Sequence, residues 1–237
     1  MITDPLISPA GPDFTHVETW VFDLDNTLYP SHCNLFAQIE ARMGAFIAQR
    51  LDLPPDRAHA VRRQFYMEHG TTLAGLMKVH NIAPHDFLDF VHDIDLTPVT
   101  PNLELDTILS ALPGRKVVFT NGSARHAQNV MHKVGITHHF EAIFDIEAAN
   151  YVPKPAAATY DALIAATGCA PTRAAMFDDI SRNLVAARAL GMTTVWIRTP
   201  DDWSAGGLQT HDHVHHIADD LTDFLKQIVA RNTEGKA

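Results

Sequence analysis

Apolar and polar residues are distributed along this chain in two rhythms. Short, nearly continuous apolar runs end near Val17–Phe22, Lys116–Thr120, Ala142–Ile146, Ala174–Phe177 and Thr193–Ile197. Runs of this kind suit strands covered on both faces, where neither side alternates with water. Between the later runs the pattern turns helical. Ser123 is placed to cap a helix through about Val134, and Pro155 to occupy the first position of a helix over Ala156–Ala166. Asn183–Leu190 is rich in alanine and stops at Gly191, a natural C-cap. Leu221, Phe224, Leu225, Ile228 and Val229 form one stripe of a closing amphipathic helix. Strand–helix alternation predicts an α/β fold, a doubly wound parallel sheet with right-handed crossovers.

The interval between the first strand and Lys116 breaks this alternation. Leu35, Ile39, Met43, Phe46 and Ile47 share one helix face, and Pro54-Pro55 interrupts the chain. Further helices are expected over Asp56–Met67, Thr72–His80 and His85–Asp93, with Pro98 and Pro101 marking the return. The expected organisation is a loose leader (1–15), a core (16–29 and 106–237) and a small all-helical cap (30–105) inserted after the first strand. An insert there lies over the strand C-termini, where open α/β sheets bind ligands.

Composition narrows the function. The 237 residues are 46% hydrophobic and 19% charged, with a formal net charge of -10. No run of basic residues offers a footprint for a nucleic-acid polymer or an anionic membrane. No apolar run reaches the roughly 18 residues of a membrane span. The N-terminus lacks a basic and an apolar signal region, and the two cysteines, Cys33 and Cys169, have no metal-like spacing, so a cytoplasmic location is expected.

The candidate chemistry sits where predicted strands end. Asp23 and Asp25 follow the first strand, and alternate residues there share a face. Carboxylates so close repel unless a cation or proton joins them, and a hard divalent ion such as Mg²⁺ suits their oxygens. Phe119-Thr120-Asn121-Gly122-Ser123 ends the second strand and opens a helix, giving a hydroxyl and N–H groups suited to phosphate. Lys154 stands between two prolines in a stiff loop, and Asp178 and Asp179 end a later strand. In a parallel sheet all four motifs converge on one edge. Asp145 and Glu147 also follow a strand, where turn contacts account for them as well as a site does. His211–His216 is read as solvated histidines before the final helix, and Trp203, near Asp201-Asp202 and Gly206-Gly207, as a loop anchor.

The ordered set Asp23-x-Asp25, Thr120, Lys154 and Asp178-Asp179 resembles the haloacid dehalogenase superfamily in its four-motif phosphatase form. Asp25–Tyr29, His69–Leu73 and Met176–Asn183 look like its pyrimidine 5'-nucleotidase branch. The resemblance implies that Asp23 is the nucleophile and a Mg²⁺ ligand. Asp25 would be the general acid and base, with its carbonyl on the metal. Thr120, Asn121 and Gly122 would hold the phosphoryl group, and Lys154 would neutralise it. Asp178 and Asp179 would complete the metal shell, with Asn183 orienting them. Tyr29 and Thr72 are candidates for meeting the nucleotide, by stacking and from a helix cap respectively. The expected partner is a small phosphorylated metabolite and the expected cofactor Mg²⁺. A phosphoglycolate or other small-metabolite phosphatase is the alternative. A sugar phosphomutase, a 2-haloacid dehalogenase (which needs neither Asp25 nor a metal) and an inactive binding module rank lower.

Overall fold

The computed structural model describes residues 12–200 and 211–234. Most of the leader and the expected Trp203 anchor lie outside the described residues.

The core is a six-stranded, all-parallel sheet: β1 (Thr19–Phe22), β2 (Arg115–Phe119), β3 (Ala142–Phe144), β4 (Ala174–Asp178), β5 (Thr193–Ile197) and β6 (His216–Ala218), in the order β3-β2-β1-β4-β5-β6. The apolar runs are continuous because both sides are buried. Trp20, Phe22, Val118 and Phe177 enter one core layer, while Val21, Val117, Phe119 and Met176 enter the other. The first layer is closed by α5 (Leu103–Ala111), α6 (Ala124–Val134) and α9 (Leu221–Glu234), the second by α7 (Ala157–Thr167) and α8 (Leu184–Ala189).

Register positions the site. Phe22 lies opposite both Val118 of β2 and Phe177 of β4. The Asp23 N–H extends the ladder by one bond, donating to the Phe177 carbonyl at 2.8 Å. The residues that follow β1, β2 and β4 therefore emerge side by side.

Above this edge stand α1 (Leu35–Leu51), α2 (Pro55–His69), α3 (Thr72–His80) and α4 (Pro84–Val91). Their own core includes Ile39, Phe46, Ile47, Phe65, Leu76, Phe87 and Val91, and it also takes in Ile146 from the loop after β3. Pro55 and Pro84 open their helices, and the Thr71 hydroxyl caps α3 by accepting the Ala74 N–H at 3.1 Å.

Three expectations change, and one helix had not been expected. Pro155 is not the first residue of α7: the Ala156 N–H closes a turn onto the Pro153 carbonyl at 3.0 Å, and the helix starts at Ala157 with Ala156 as its N-cap. The predicted helix from Asn183 begins as a 3-10 turn (Ser181–Asn183) before α8. Helix α5, capped by the Asn102 side chain accepting the Leu105 N–H at 2.9 Å, had no periodic signature strong enough to predict it. The histidine segment does not simply lead to the final helix. It forms β6, with His216 opposite Val195 and its ring 5.2 Å from that of Phe14. Nearby, His211 stacks on Trp196 at 4.9 Å and His215 Nδ1 accepts the Thr194 N–H at 3.0 Å. Strand β6 has only three residues, His216–Ala218, too few to show an apolar run or an alternation.

The closeness of α2 and α3 depends on Gly75, where an added Cβ would sit 2.3 Å from the Phe65 ring. Gly75→Ala is expected to destabilise the protein by about 1–3 kcal/mol through overpacking. Urea denaturation checks this, and an unchanged midpoint would show that the helices move apart freely.

Candidate functional site

Each predicted motif reaches the same edge because each follows a strand of one parallel sheet. At its centre is Lys154, 2% exposed. Its ammonium donates to Asp23 Oδ1 at 2.7 Å, Asp178 Oδ2 at 2.7 Å and the Phe119 carbonyl at 2.8 Å. All three ammonium protons are thereby used. The loop carrying Lys154 is fixed by Asn121, whose Oδ1 accepts the Lys154 N–H at 2.8 Å and whose Nδ2 donates to the Lys154 carbonyl at 3.4 Å.

Asp178 is fully buried and richly bonded. Oδ1 accepts from the Ile180 N–H and from Asn183 Nδ2, both at 2.9 Å, and Asn183 also reaches Oδ2 at 3.1 Å. Asp179 has one side-chain donor, Asn26 Nδ2, at 3.2 Å to Oδ2, while its carbonyl accepts the Trp196 indole N–H at 2.9 Å. Oxygens of Asp23, Asp178 and Asp179 lie within 4.8 Å of one another.

Electrostatics follow from three buried carboxylates sharing one ammonium. Burial pushes the Asp23 carboxyl up to about 7; Lys154 opposes this, while Asp178 and Asp25 reinforce it. Burial, with Asp23 and Asp178 beside it, also holds Asp179 well above the carboxylate range. For Lys154 burial disfavours the charge, but Asp178 and Asp23 overcome it and raise the pKa. An all-oxygen donor set with this excess of negative charge fits a hard divalent cation.

Asp25 stands apart from that cluster. Its Oδ1 accepts from the Tyr29 hydroxyl at 2.7 Å and lies 2.9 Å from His126 Nε2. Burial acts to raise the Asp25 pKa, but the charge and hydrogen bond of His126, with Tyr29, bring it below the usual value. The His126 ring stacks on His92 at 4.3 Å and 8°. His92, driven down to about 3 by burial and then by His126, faces Ser123 Oγ at 3.0 Å.

The remaining predicted residues are also placed. Thr120 is buried, and its hydroxyl accepts the Gly122 N–H at 2.9 Å. Thr72 is buried at the start of α3, with its hydroxyl 3.5 Å from the Arg62 carbonyl. Tyr29 does not present a ring for stacking: it is 2% exposed and its hydroxyl is spent on Asp25. Asp145 bonds the Ala124 N–H at 2.7 Å and the Ala148 N–H at 2.9 Å, which is a turn and helix-start role.

Sequence reasoning missed His126, His92 and Asn26. His126 stands three residues after Ser123, in the first turn of a helix that starts at the strand edge, and that spacing was an available signal. His92 comes from the end of α4, and only the packing of the inserted helices brings it near.

A cavity of about 510 Å³ opens above Asp23. Asp23, Asp25, Thr120, Lys154 and Asp179 line its floor, and Phe36, Ile39, Met43, Phe87 and Leu88 much of its walls. Arg182, from the loop after β4, crosses to the inserted helices, donating to the Tyr66 hydroxyl at 2.7 Å. Among the described residues a second cluster, Asp106 with His138 and His139, could also bring ligand atoms together. There Asp106 Oδ1 is shared by His138 Nε2 at 3.1 Å and His139 Nε2 at 2.7 Å.

A family model described as a haloacid dehalogenase-like hydrolase matches residues 17–191, which span the sheet edge and every motif above. The chain belongs to this hydrolase family. Phosphate metabolism protein 8 of Saccharomyces cerevisiae is 26% identical over 216 residues, covering 83% of this chain. The chain spans 66% of the length of that relative. Solved haloacid dehalogenase-like structures share the fold. A HAD phosphatase from Thermococcus onnurineus has a TM-score of 0.58 at 15% identity, over 89% of this chain and 97% of that one. YfnB from Bacillus subtilis, bound to magnesium, has a TM-score of 0.57 at 14% identity, over 90% and 98%. L-2-haloacid dehalogenase from Xanthobacter autotrophicus has a TM-score of 0.54 at 15% identity, over 90% and 98%.

Removing the shared cation should expose how much of the site it holds together. Lys154→Met, measured by urea denaturation in chelator, is expected to lose about 3–5 kcal/mol, the cost of leaving buried charge unpaired. Asn183→Ala should lose about 1–3 kcal/mol through the unsatisfied Asp178 oxygens. Wild-type stability of Lys154→Met would mean that the carboxylates are not held as charges.

Proposed function

We propose that this protein is a Mg²⁺-dependent phosphomonoester hydrolase working through an aspartyl phosphate on Asp23, and that it acts on nucleoside 5'-monophosphates, preferring pyrimidine nucleotides. The observation that carries the phosphatase reading is the pairing of Asp23, tied to Lys154 and the Asp178-Asp179 cluster, with Asp25 held outside that cluster. A haloacid dehalogenase has no use for Asp25 or for a metal, so this site favours phosphoryl transfer although the fold is shared.

Asp23, Asp178, Asp179 and the Asp25 carbonyl would hold the ion. Asp179 is the better direct ligand, since Asp178 already receives Lys154, Asn183 and the Ile180 N–H. The ion supplies charge neutralisation for the phosphoryl oxygens and for Asp23. A carboxylate oxygen of Asp23 attacks phosphorus as the ester P–O bond breaks, and Asp25 gives its proton to the departing oxygen. Asp25 then takes a proton from water, whose oxygen attacks phosphorus and releases phosphate, restoring the Asp23 carboxylate. Asp25 favours its ionised form in the free protein, but a phosphate dianion beside it raises its proton affinity. Thr120, with the Asn121 N–H, would orient the phosphoryl oxygens, while the Gly122 N–H expected to join them is taken by the Thr120 hydroxyl, and Lys154 offsets the charge of Asp23.

The nucleotide reading is supported by the cavity and by the motif likeness at Asp25–Tyr29 and His69–Leu73. An apolar-walled space of about 510 Å³ suits a sizeable, flat leaving group. A two-carbon acid such as phosphoglycolate would leave most of that wall uncovered. With Tyr29 buried, Phe36 on α1 is a candidate for the stacking surface and Thr72 for a polar contact.

Asp23→Asn is expected to abolish phosphate release and the trapped acyl phosphate; turnover like the wild type would refute the covalent route. Chelator should remove activity and Mg²⁺ restore it, whereas full activity in excess chelator would revive the dehalogenase reading. UMP and CMP should show higher kcat/KM than phosphoglycolate or sugar phosphates in a phosphate-release assay. Preference for phosphoglycolate over every nucleoside monophosphate would overturn the nucleotide assignment.

A further inference from the structure

Among the buried polar groups that the reaction steps do not use, His126 stands beside Asp25. His126 is 1% exposed, belongs to none of the four motifs, and places Nε2 2.9 Å from Asp25 Oδ1. A carboxylate oxygen accepts, so Nε2 donates. The Tyr29 hydroxyl donates to the same Oδ1 at 2.7 Å. Two donors thus converge on one oxygen, and Oδ2 carries none of the hydrogen bonds among the described residues. That asymmetry ties the carboxyl through one oxygen and leaves the other without a donor there, at the cavity floor that Asp25 and Asp23 both line.

The imidazole is itself held on two sides. Its backbone N–H bonds Ser123 Oγ at 3.3 Å in the first turn of α6, and its ring lies flat on His92 at 4.3 Å and 8°. His92 comes from the inserted helices and faces the same Ser123 hydroxyl at 3.0 Å. On the other flank the ring lies close to Gly122, where an added Cβ would stand at ordinary contact distance, 3.5 Å from His126 Cδ2. A ring packed this way cannot swing from Asp25 without displacing His92.

We propose that His126 is a positioning residue for proton transfer, holding Asp25 so that Oδ2 is the oxygen that exchanges a proton with the leaving group and then with water. The role rests on the phosphatase reading. In the first half of the reaction it concerns only the proton at the departing oxygen, so its loss there depends on the basicity of that oxygen. An alkoxide leaving from an alkyl or nucleoside phosphate needs the proton as the P–O bond breaks. The anion of 2,4-dinitrophenol departs without it.

The test compares kcat/KM for UMP and for 2,4-dinitrophenyl phosphate in the Mg²⁺-loaded protein. This parameter reports events up to formation of the acyl phosphate, and the ratio of the two substrates cancels any loss of folded protein. His126→Leu, of similar bulk but with no donor, should lower the UMP value by about 10²-fold, the scale of a misplaced catalytic group. Its value for the dinitrophenyl ester should stay at the wild-type level. His126→Gln, which offers an N–H at nearly the same reach, should recover much of the UMP activity. Equal losses on both substrates would assign His126 a structural role and overturn the proposal, as would an unchanged UMP value in His126→Leu. A wild-type protein that cleaves neither ester, or cleaves the aryl ester but no alkyl or nucleoside phosphate, would instead sink the phosphatase or nucleotide reading on which the role stands.

Discussion

The ammonium of Lys154 is the interaction on which the site's geometry depends. It reaches the carboxylates that follow β1 and end β4, and also the carbonyl that ends β2. Each partner belongs to a different strand, so one buried cation gathers three strand ends at a single point. Without it, Asp23 would face Asp178 across a buried sheet edge, where burial drives the Asp23 carboxyl toward its neutral form. The loop that delivers the lysine is in turn gripped through both backbone groups by Asn121, from the turn after β2.

Around this centre the acids are sorted by environment. Asp178 receives Lys154, Asn183 and the Ile180 N–H, while Asp23 receives Lys154 and Asp179 receives Asn26. Asp25 has been drawn away to Tyr29 and His126. Residues of one chemical type therefore take different parts, and the difference lies in which neighbours donate to them. The same logic explains why Tyr29 cannot serve as a stacking surface: its hydroxyl and its ring are both committed to the wall behind Asp25.

The inserted helices have a core of their own, built on Phe46, Phe65, Leu76 and Phe87. They touch the sheet domain through a few specific contacts. Ile146 joins their apolar cluster, Arg182 reaches Tyr66, and His92 stacks on His126. The last two flank the cavity, so the insert contributes to the walls around Asp23 and Asp25 as well as to the space above them. No helix among the described residues is long and apolar enough to cross a membrane.

The sequence by itself determined the sheet, because strands buried on both faces must be written as unbroken apolar runs, and it determined the motif residues, because the residue after each run is carried to the same edge. It also gave the inserted helices, through the break at Pro54-Pro55 and the 3.6-residue stripe of α1, although Pro55 and Pro84 prove to be the first residues of α2 and α4. Tertiary structure decided the rest. β6 depends on backbone pairing at an edge, which three residues, His216–Ala218, do not advertise. Pro155 reads as a helix start but is taken by a turn that closes on Pro153. The partners of Asp25 come from the turn after β1 and from α6, and His126 is braced by a residue at the end of α4. Periodicity records which face of an element is buried, but it does not record which side chains of separate elements meet there. The partners of Asp25 were therefore hidden, while the half of the site written as strand ends could be read directly.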